Sequence, residues 1–135
     1  MLALEIVTDA LRNIGVISEI DSASAEQGSD GVRKLNELMA SLAEDGIDLG
    51  WAPIDDTGDT VVFPAGEVRS IKALLAVNMA PIYGADVPAA VASIAGSGYS
   101  RMLRNALILS QNAVSLCTVS KGTGTDYEYD IVRGY

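Results

Sequence analysis

Two segments decide the fold: DALRNIGVI at residues 9–17 and LNELMASLAEDGIDLG at residues 35–50. Each belongs to a stripe of apolar residues at helical spacing, which places the stripe on one helix face. Glycine follows each stripe, at Gly15 and Gly46, where a left-handed C-terminal cap favours it. The two segments therefore predict two amphipathic helices, which are joined by an acidic, serine-rich loop. The stripe residues are Leu4, Val7, Leu11 and Ile14, then Val32, Leu35, Leu38, Met39 and Leu42.

The beginning of the second helix has two readings. Ser24 and Gln27 match a capping box, in which each side chain accepts a hydrogen bond from the other residue's backbone N–H. Gly28 and Gly31 weaken such an early start, by about 1 kcal/mol each relative to alanine. A later start with Ser29 as N-cap is the alternative, and we favour Ser24.

Two further helices are expected, at residues 66–80 and 88–110. Proline cannot donate a backbone hydrogen bond, so the third helix should kink or end at Pro81. Gly96 and Gly98 are the places where the fourth helix could be interrupted.

The apolar period changes after residue 110. Apolar and polar residues alternate over residues 114–118 and again over 127–132, with the turn-forming stretch 121–124 between them. This pattern predicts a β-hairpin or extended arm. The expected fold is mainly α: a small bundle of about four helices formed by residues 1–110, followed by a C-terminal β-hairpin or extended arm at residues 111–135.

The composition excludes several kinds of chemistry. The chain contains no histidine and one cysteine, Cys117. Catalytic triads, general bases and metal sites that require histidine are therefore excluded. The cysteine pair that is typical of zinc sites is also missing. Asp55 opens an acidic cluster whose glycine is misplaced for an EF-hand loop. We predict no cofactor, metal or catalytic residue.

Charge is distributed unevenly along the chain. Residues 1–67 carry a net charge of −11, residues 68–125 carry +4, and residues 126–135 carry −2. Opposite patches suit head-to-tail contact between copies, although pairing of the two parts within one chain is equally compatible. The acidic balance disfavours tight DNA binding, which requires clustered Lys and Arg.

Five residues are candidates for partner binding. Arg101 and Arg104 are three residues apart on the fourth helix, and they could form ion pairs with a neighbouring subunit or remain solvated. Tyr127, Tyr129 and Tyr135 are concentrated near the C-terminus. Tyrosine is enriched at interfaces, but these side chains could equally pack on their own domain.

Membrane insertion is not expected. Asn78, Pro81 and Asp86 interrupt the most apolar region, residues 73–98, before it reaches the roughly 20 apolar residues that a membrane span requires.

The two opening segments, together with LAVNMAPIYG at residues 75–84, resemble a protein family of tailed bacteriophages, especially of short-tailed ones. These are head-to-tail connector or tail accessory proteins, which stabilise packaged DNA. The resemblance covers roughly residues 5–105. Two positions depart from the family pattern: Ile14-Gly15 replaces Leu-Gly, and Ala43 stands where an aromatic residue is common.

The resemblance implies a structural virion protein, with residues 1–110 as the connector domain. It would form a ring of about twelve copies beneath the portal protein, extend the DNA channel, retain packaged DNA and provide a platform for a downstream tail component. DNA would pass transiently and without specific binding. The implied location is the head–tail junction of the virion, after assembly in the host cytoplasm.

Two other functions remain open. A peptidoglycan-degrading virion enzyme could use Glu44, Asp45 or Asp48 as acid and base. A small helical adaptor that binds a cellular protein is the other alternative.

Overall fold

The computed structural model describes the backbone of residues 1–125 and the side chains of residues 1–111. The described backbone contains four helices: α1 (Ala3–Asn13), α2 (Ala25–Glu44), α3 (Val68–Tyr83) and α4 (Ala89–Thr125). Within these residues extended pairing is limited to an isolated antiparallel bridge between Leu2 and Thr60. The mainly α fold class is confirmed. Residues 1–103 form one compact unit, and a second begins at Arg104.

The core of the first unit lies where α1, α2 and α3 pack against one another. The stripe predicted for α1 is confirmed, because Val7 and Leu11 are fully buried and Ile14 is nearly so. Leu35, Leu42 and Leu75 complete the centre from α2 and α3. Burying a side chain of this size stabilises the fold by about 1.5–3 kcal/mol.

α2 begins as the capping box predicts. The Gln27 backbone N–H donates to Ser24 Oγ at 3.2 Å, and the Ser24 N–H donates to Gln27 Oε1 at 2.9 Å. The early start retains two glycines whose role is close packing. A Cβ at Gly31 would collide with the Val7 side chain, and one at Gly28 would lie 2.9 Å from Thr57 Cγ2. The two glycines lower the helix propensity, but because they lack a Cβ they allow α1 and the loop after α2 to approach α2 closely.

α3 continues past the proline where we expected it to kink or end. Pro81 lies inside its last turn, and the helix ends at Tyr83 with Gly84 in the left-handed conformation, at φ 60°. The Ala85 N–H donates to the Ala80 carbonyl at 3.0 Å across this end. Because proline removes a single backbone donor, its cost so near a terminus is limited.

α4 is longer than expected. It spans Ala89–Thr125, whereas the sequence pattern predicts a helix at 88–110 and strand structure from residue 111. The strand prediction is therefore corrected for residues 111–125, and residues 126–135 of the predicted arm lie outside the described residues. Extending a helix adds one hydrogen bond for each residue fixed, whereas an isolated hairpin is marginal in water. The short alternation of apolar and polar residues at 114–118 does not outweigh this advantage of the helix over the hairpin.

The loop between α2 and α3 is held to the N-terminal segment by backbone hydrogen bonds. The Ala3 and Leu4 N–H groups donate to the carbonyls of Asp59 and Thr57, at 2.9 and 3.0 Å. The first amides of a helix lack partners inside the helix, so the loop provides acceptors that α1 needs. Asn36 holds the same loop from α2, since its amide donates to the Ile54 carbonyl at 2.8 Å and accepts from the Ile54 N–H at 3.1 Å.

Candidate functional site

Arg101, a predicted partner-binding residue, is bound within its own chain. Its Nη2 lies 2.7 Å from Glu67 Oε2, and the same nitrogen donates to the Gly66 carbonyl and to Ser70 Oγ, both at 3.0 Å. Its hydrogen bond with Glu67 and the attraction between the two charges raise the pKa of Arg101. The guanidinium thus connects α4 to the beginning of α3.

A second ion pair joins the acidic and cationic parts of the sequence. Lys72 Nζ on α3 lies 2.6 Å from Asp9 Oδ2 on α1, and Asp9 Oδ1 accepts from Arg12 at 3.2 Å. Together with Arg101–Glu67, this pair supports intrachain pairing as one use of the uneven charge. Arg69 and Arg104, in contrast, are exposed and have no ion-pair partner within the described side chains.

Arg104 belongs to an exposed face of α4 in the second unit. Leu107 and Ile108 follow it by three and four residues, so the three side chains share one side of the helix. Leu107 and Ile108 are 56% and 48% exposed. We call these three residues the α4 face. Tyr127, Tyr129 and Tyr135, the other predicted partner residues, lie outside the described residues.

An open cavity of about 820 Å³ lies beside Asp9 and its two cationic partners, Arg12 and Lys72. Arg12, Arg69 and Lys72 line it together with two acids, Asp9 and Glu19. Arg12 Nε is buried and has no hydrogen-bond partner among the described residues. Sequence reasoning missed this cavity because Arg12 and Lys72 belong to distant segments, and no local pattern predicts that α1 and α3 bring them together.

A groove of about 290 Å³ lies at the carboxyl end of α2. We call it the α2 groove. Trp51, in its wall, stacks on Phe63 with ring centroids 5.5 Å apart and planes 6° from parallel. Both rings are half-buried, and neighbouring Val62 is 79% exposed. Sequence reasoning missed this site. The full lining is Asn36, Met39, Ala40, Ala43, Ile47, Asp48, Leu49, Trp51 and Pro53.

The three acids of the enzyme alternative lie near this groove but do not form a catalytic pair. Glu44, Asp45 and Asp48 are all exposed. Asp45 accepts a hydrogen bond from the Tyr99 hydroxyl at 2.9 Å, and Asp48 Oδ1 accepts from the Gly50 N–H at 2.8 Å. A glycosidase acid requires shielding from water to raise its pKa, and these positions do not provide it.

The described residues lack a metal-binding cluster and a membrane-spanning helix. Within them, no three His, Cys, Asp or Glu side chains are grouped so that they could hold a metal ion. The acidic turn at Asp55 is organised by its own hydrogen bonds, because Asp59 Oδ2 accepts from the backbone N–H groups of Asp55 and Asp56 at 3.1 Å. Across the same part of the chain, the helices lack the combined length and apolarity required to span a bilayer.

The described residues thus form a small helical fold with exposed charged and apolar surfaces. The chain belongs to the P22 tail accessory factor family, whose model matches residues 3–134. It is therefore a phage tail accessory protein and a component of the virion, and this family favours a structural role over an enzymatic one. No curated protein shows significant sequence similarity to the chain.

Proposed function

We propose that the chain is one subunit of a ring that lies beneath the phage portal at the head–tail junction. The ring extends the DNA channel, retains packaged DNA and provides the attachment platform for the next tail component. The observation that carries this proposal is the match to the tail accessory family over residues 3–134.

The charges that remain after intrachain pairing support contact between copies. The stretch 35–67 contains eight acids and no Lys or Arg, and six of these acids have no ion pair within the described side chains. Arg69 and Arg104 remain exposed and without ion pairs within the described residues. Two surfaces of opposite charge on one subunit favour a heterologous interface, which closes into a ring when the rotation between copies allows it.

Acidic surface also suits a channel through which DNA moves. DNA binds tightly where Lys and Arg neutralise several phosphates. A wall rich in carboxylates repels the phosphate backbone and lets DNA pass without holding it by specific contacts. Retention would then depend on closing the ring or on the tail component bound below it.

The direct test is to mix the purified full chain with the portal protein of its phage. We expect portal particles to gain a ring of density in electron microscopy and a mass corresponding to about twelve added subunits. A chain that remains unbound at all concentrations would contradict the proposal. Catalysis is checked separately by incubating the purified chain with peptidoglycan, where we expect no hydrolysis. Hydrolysis that is lost in a Glu44→Gln, Asp45→Asn or Asp48→Asn variant would contradict the structural role.

The C-terminal residues are tested by deleting 121–135. We expect the first unit, residues 1–103, to stay folded with nearly unchanged thermal stability, while attachment to portal or to the next subunit is lost. Circular dichroism during heating measures the first effect, and co-sedimentation with portal measures the second. A truncated chain that still forms complete rings would exclude a role for this segment in attachment.

A further inference from the structure

The α2 groove combines an apolar floor with an acidic edge. Ala40 and Ala43 lie one turn apart on α2 and are exposed, so another helix could approach closely there. Asp48 lines the groove, and Glu44 ends α2 beside it. The carboxyl end of a helix carries a partial negative charge of its own. The groove therefore favours an apolar partner that carries a cation.

The α4 face has the complementary composition. Arg104 provides a cation without an ion pair among the described residues, and exposed Leu107 and Ile108 lie one turn further on. No acid occurs between residues 87 and 125. Exposed adjacent apolar residues on a helix commonly mark an interaction surface, and an amphipathic helix in an apolar groove is a frequent mode of recognition.

We propose that the α4 face of one copy docks into the α2 groove of the next copy in the ring. Leu107 and Ile108 lie against Ala40, Ala43 and the ring of Trp51. Arg104 lies toward Asp48 and the last carbonyls of α2. The contact is heterologous, because it joins two different surfaces and leaves one of each available on every added subunit. This inference rests on the proposed ring and names the contact that holds it together.

Cross-linking between differently labelled copies tests the contact. In a Cys117→Ser background, one copy carries Ala43→Cys and the other carries Ile108→Cys. The two are assembled together on portal and treated with a short thiol-specific bifunctional cross-linker. We expect a mixed dimer from the two copies together and little product from either alone. A chain that carries both substitutions should give a ladder of multimers. The matched control is Ser29→Cys, exposed on the same helix but roughly 21 Å from residue 43 along the helix axis.

A second measurement uses steric and charge obstruction of the groove. Ala43→Arg should lower the yield of rings at least tenfold, whereas Ser29→Arg should leave it unchanged. The single tryptophan, Trp51, provides a spectroscopic signal, because burial by the next copy should shift its emission to shorter wavelength on assembly.

The possible results separate this interface from the proposed function. Rings that form without the mixed 43–108 product, or that tolerate Ala43→Arg, would overturn the interface and leave the ring proposal standing. Equal cross-linking from residues 29 and 43 would also overturn it. If no ring forms in the wild type, both proposals are excluded together.

Discussion

The core of residues 1–103 and the helical stretch 104–111 place leucines in opposite environments. Leu11, Leu35 and Leu75 are fully buried in the first region, whereas Leu107 and Leu109 in the second are 56% and 70% exposed. The residue type is the same, so its free energy contribution depends on where it lies. Apolar surface in the first region holds the fold together, and apolar surface in the second remains available to a partner. Four predictions, made with seven substitutions, test this comparison.

The largest expected effect comes from shortening a leucine in each region. Leu11→Ala should lower the free energy of unfolding by about 2–5 kcal/mol, because it removes buried methyl groups and leaves a cavity. Leu107→Ala should lower it by less than about 0.5 kcal/mol, since the side chain is mostly solvated. Urea denaturation of the full chain measures both values. Equal losses would mean that Leu107 is packed and that the comparison fails.

Adding a methyl group to a glycine should have opposite effects at two helical positions. Gly31→Ala places a Cβ against Val7 and should destabilise the protein by about 1–3 kcal/mol through overpacking. Gly96→Ala meets no atom within 4 Å and should stabilise α4 by up to about 1 kcal/mol. Thermal unfolding of the two variants gives the signs. Stabilisation by Gly31→Ala would show that α1 and α2 are further apart than described.

The two arginines of α4 should differ in their contribution to stability. Arg101→Ala removes a partly exposed ion pair with Glu67 and should lower the free energy of unfolding slightly, by an amount that decreases as salt is added. Arg104→Ala, without an ion pair in the described part of the chain, should leave the free energy of unfolding unchanged within measurement error. Chemical denaturation at low and high salt distinguishes them. A salt-sensitive loss at Arg104 would reveal an intrachain partner.

The smallest effect concerns Tyr99 and the carboxyl end of α2. Its hydrogen bond to Asp45 raises the pKa of the Tyr99 hydroxyl above the ordinary value of 10.0. Protonated Tyr99 is the donor, so the contribution is fully present below the unfolded pKa and is lost as pH rises through the folded pKa. Unfolding measured at increasing pH should therefore show Tyr99→Phe slightly less stable near neutrality and equal to the wild type at high pH. A constant difference would exclude this hydrogen bond as the cause.

Local patterns predicted that four helices form and where α2 begins, but they missed the length of α4 and the distant contacts. Ser24 and Gln27 are three residues apart, and each accepts a hydrogen bond from the other's backbone N–H through its own side chain, so the start of α2 was predictable from local sequence. The pairing of Arg101 with Glu67 joins residues 34 positions apart in sequence and depends on how α4 packs near α3. No periodicity carries that information. The α2 groove was missed for a related reason, since its lining combines α2 with Trp51 and Pro53 of the loop, which Asn36 holds to the helix at Ile54.

The contact between Gly31 and Val7 has an evolutionary consequence. A Cβ at position 31 would lie within 3 Å of both Val7 methyl groups and of the Val7 Cβ. Mutational drift at the two positions should therefore be coupled: a larger residue at 31 becomes acceptable only after position 7 has become smaller. Val7→Ala should rescue part of the stability that Gly31→Ala removes, although Val7→Ala is destabilising by itself. Among related tail proteins, residue volumes at these two positions should then vary in opposite directions while their sum stays nearly constant.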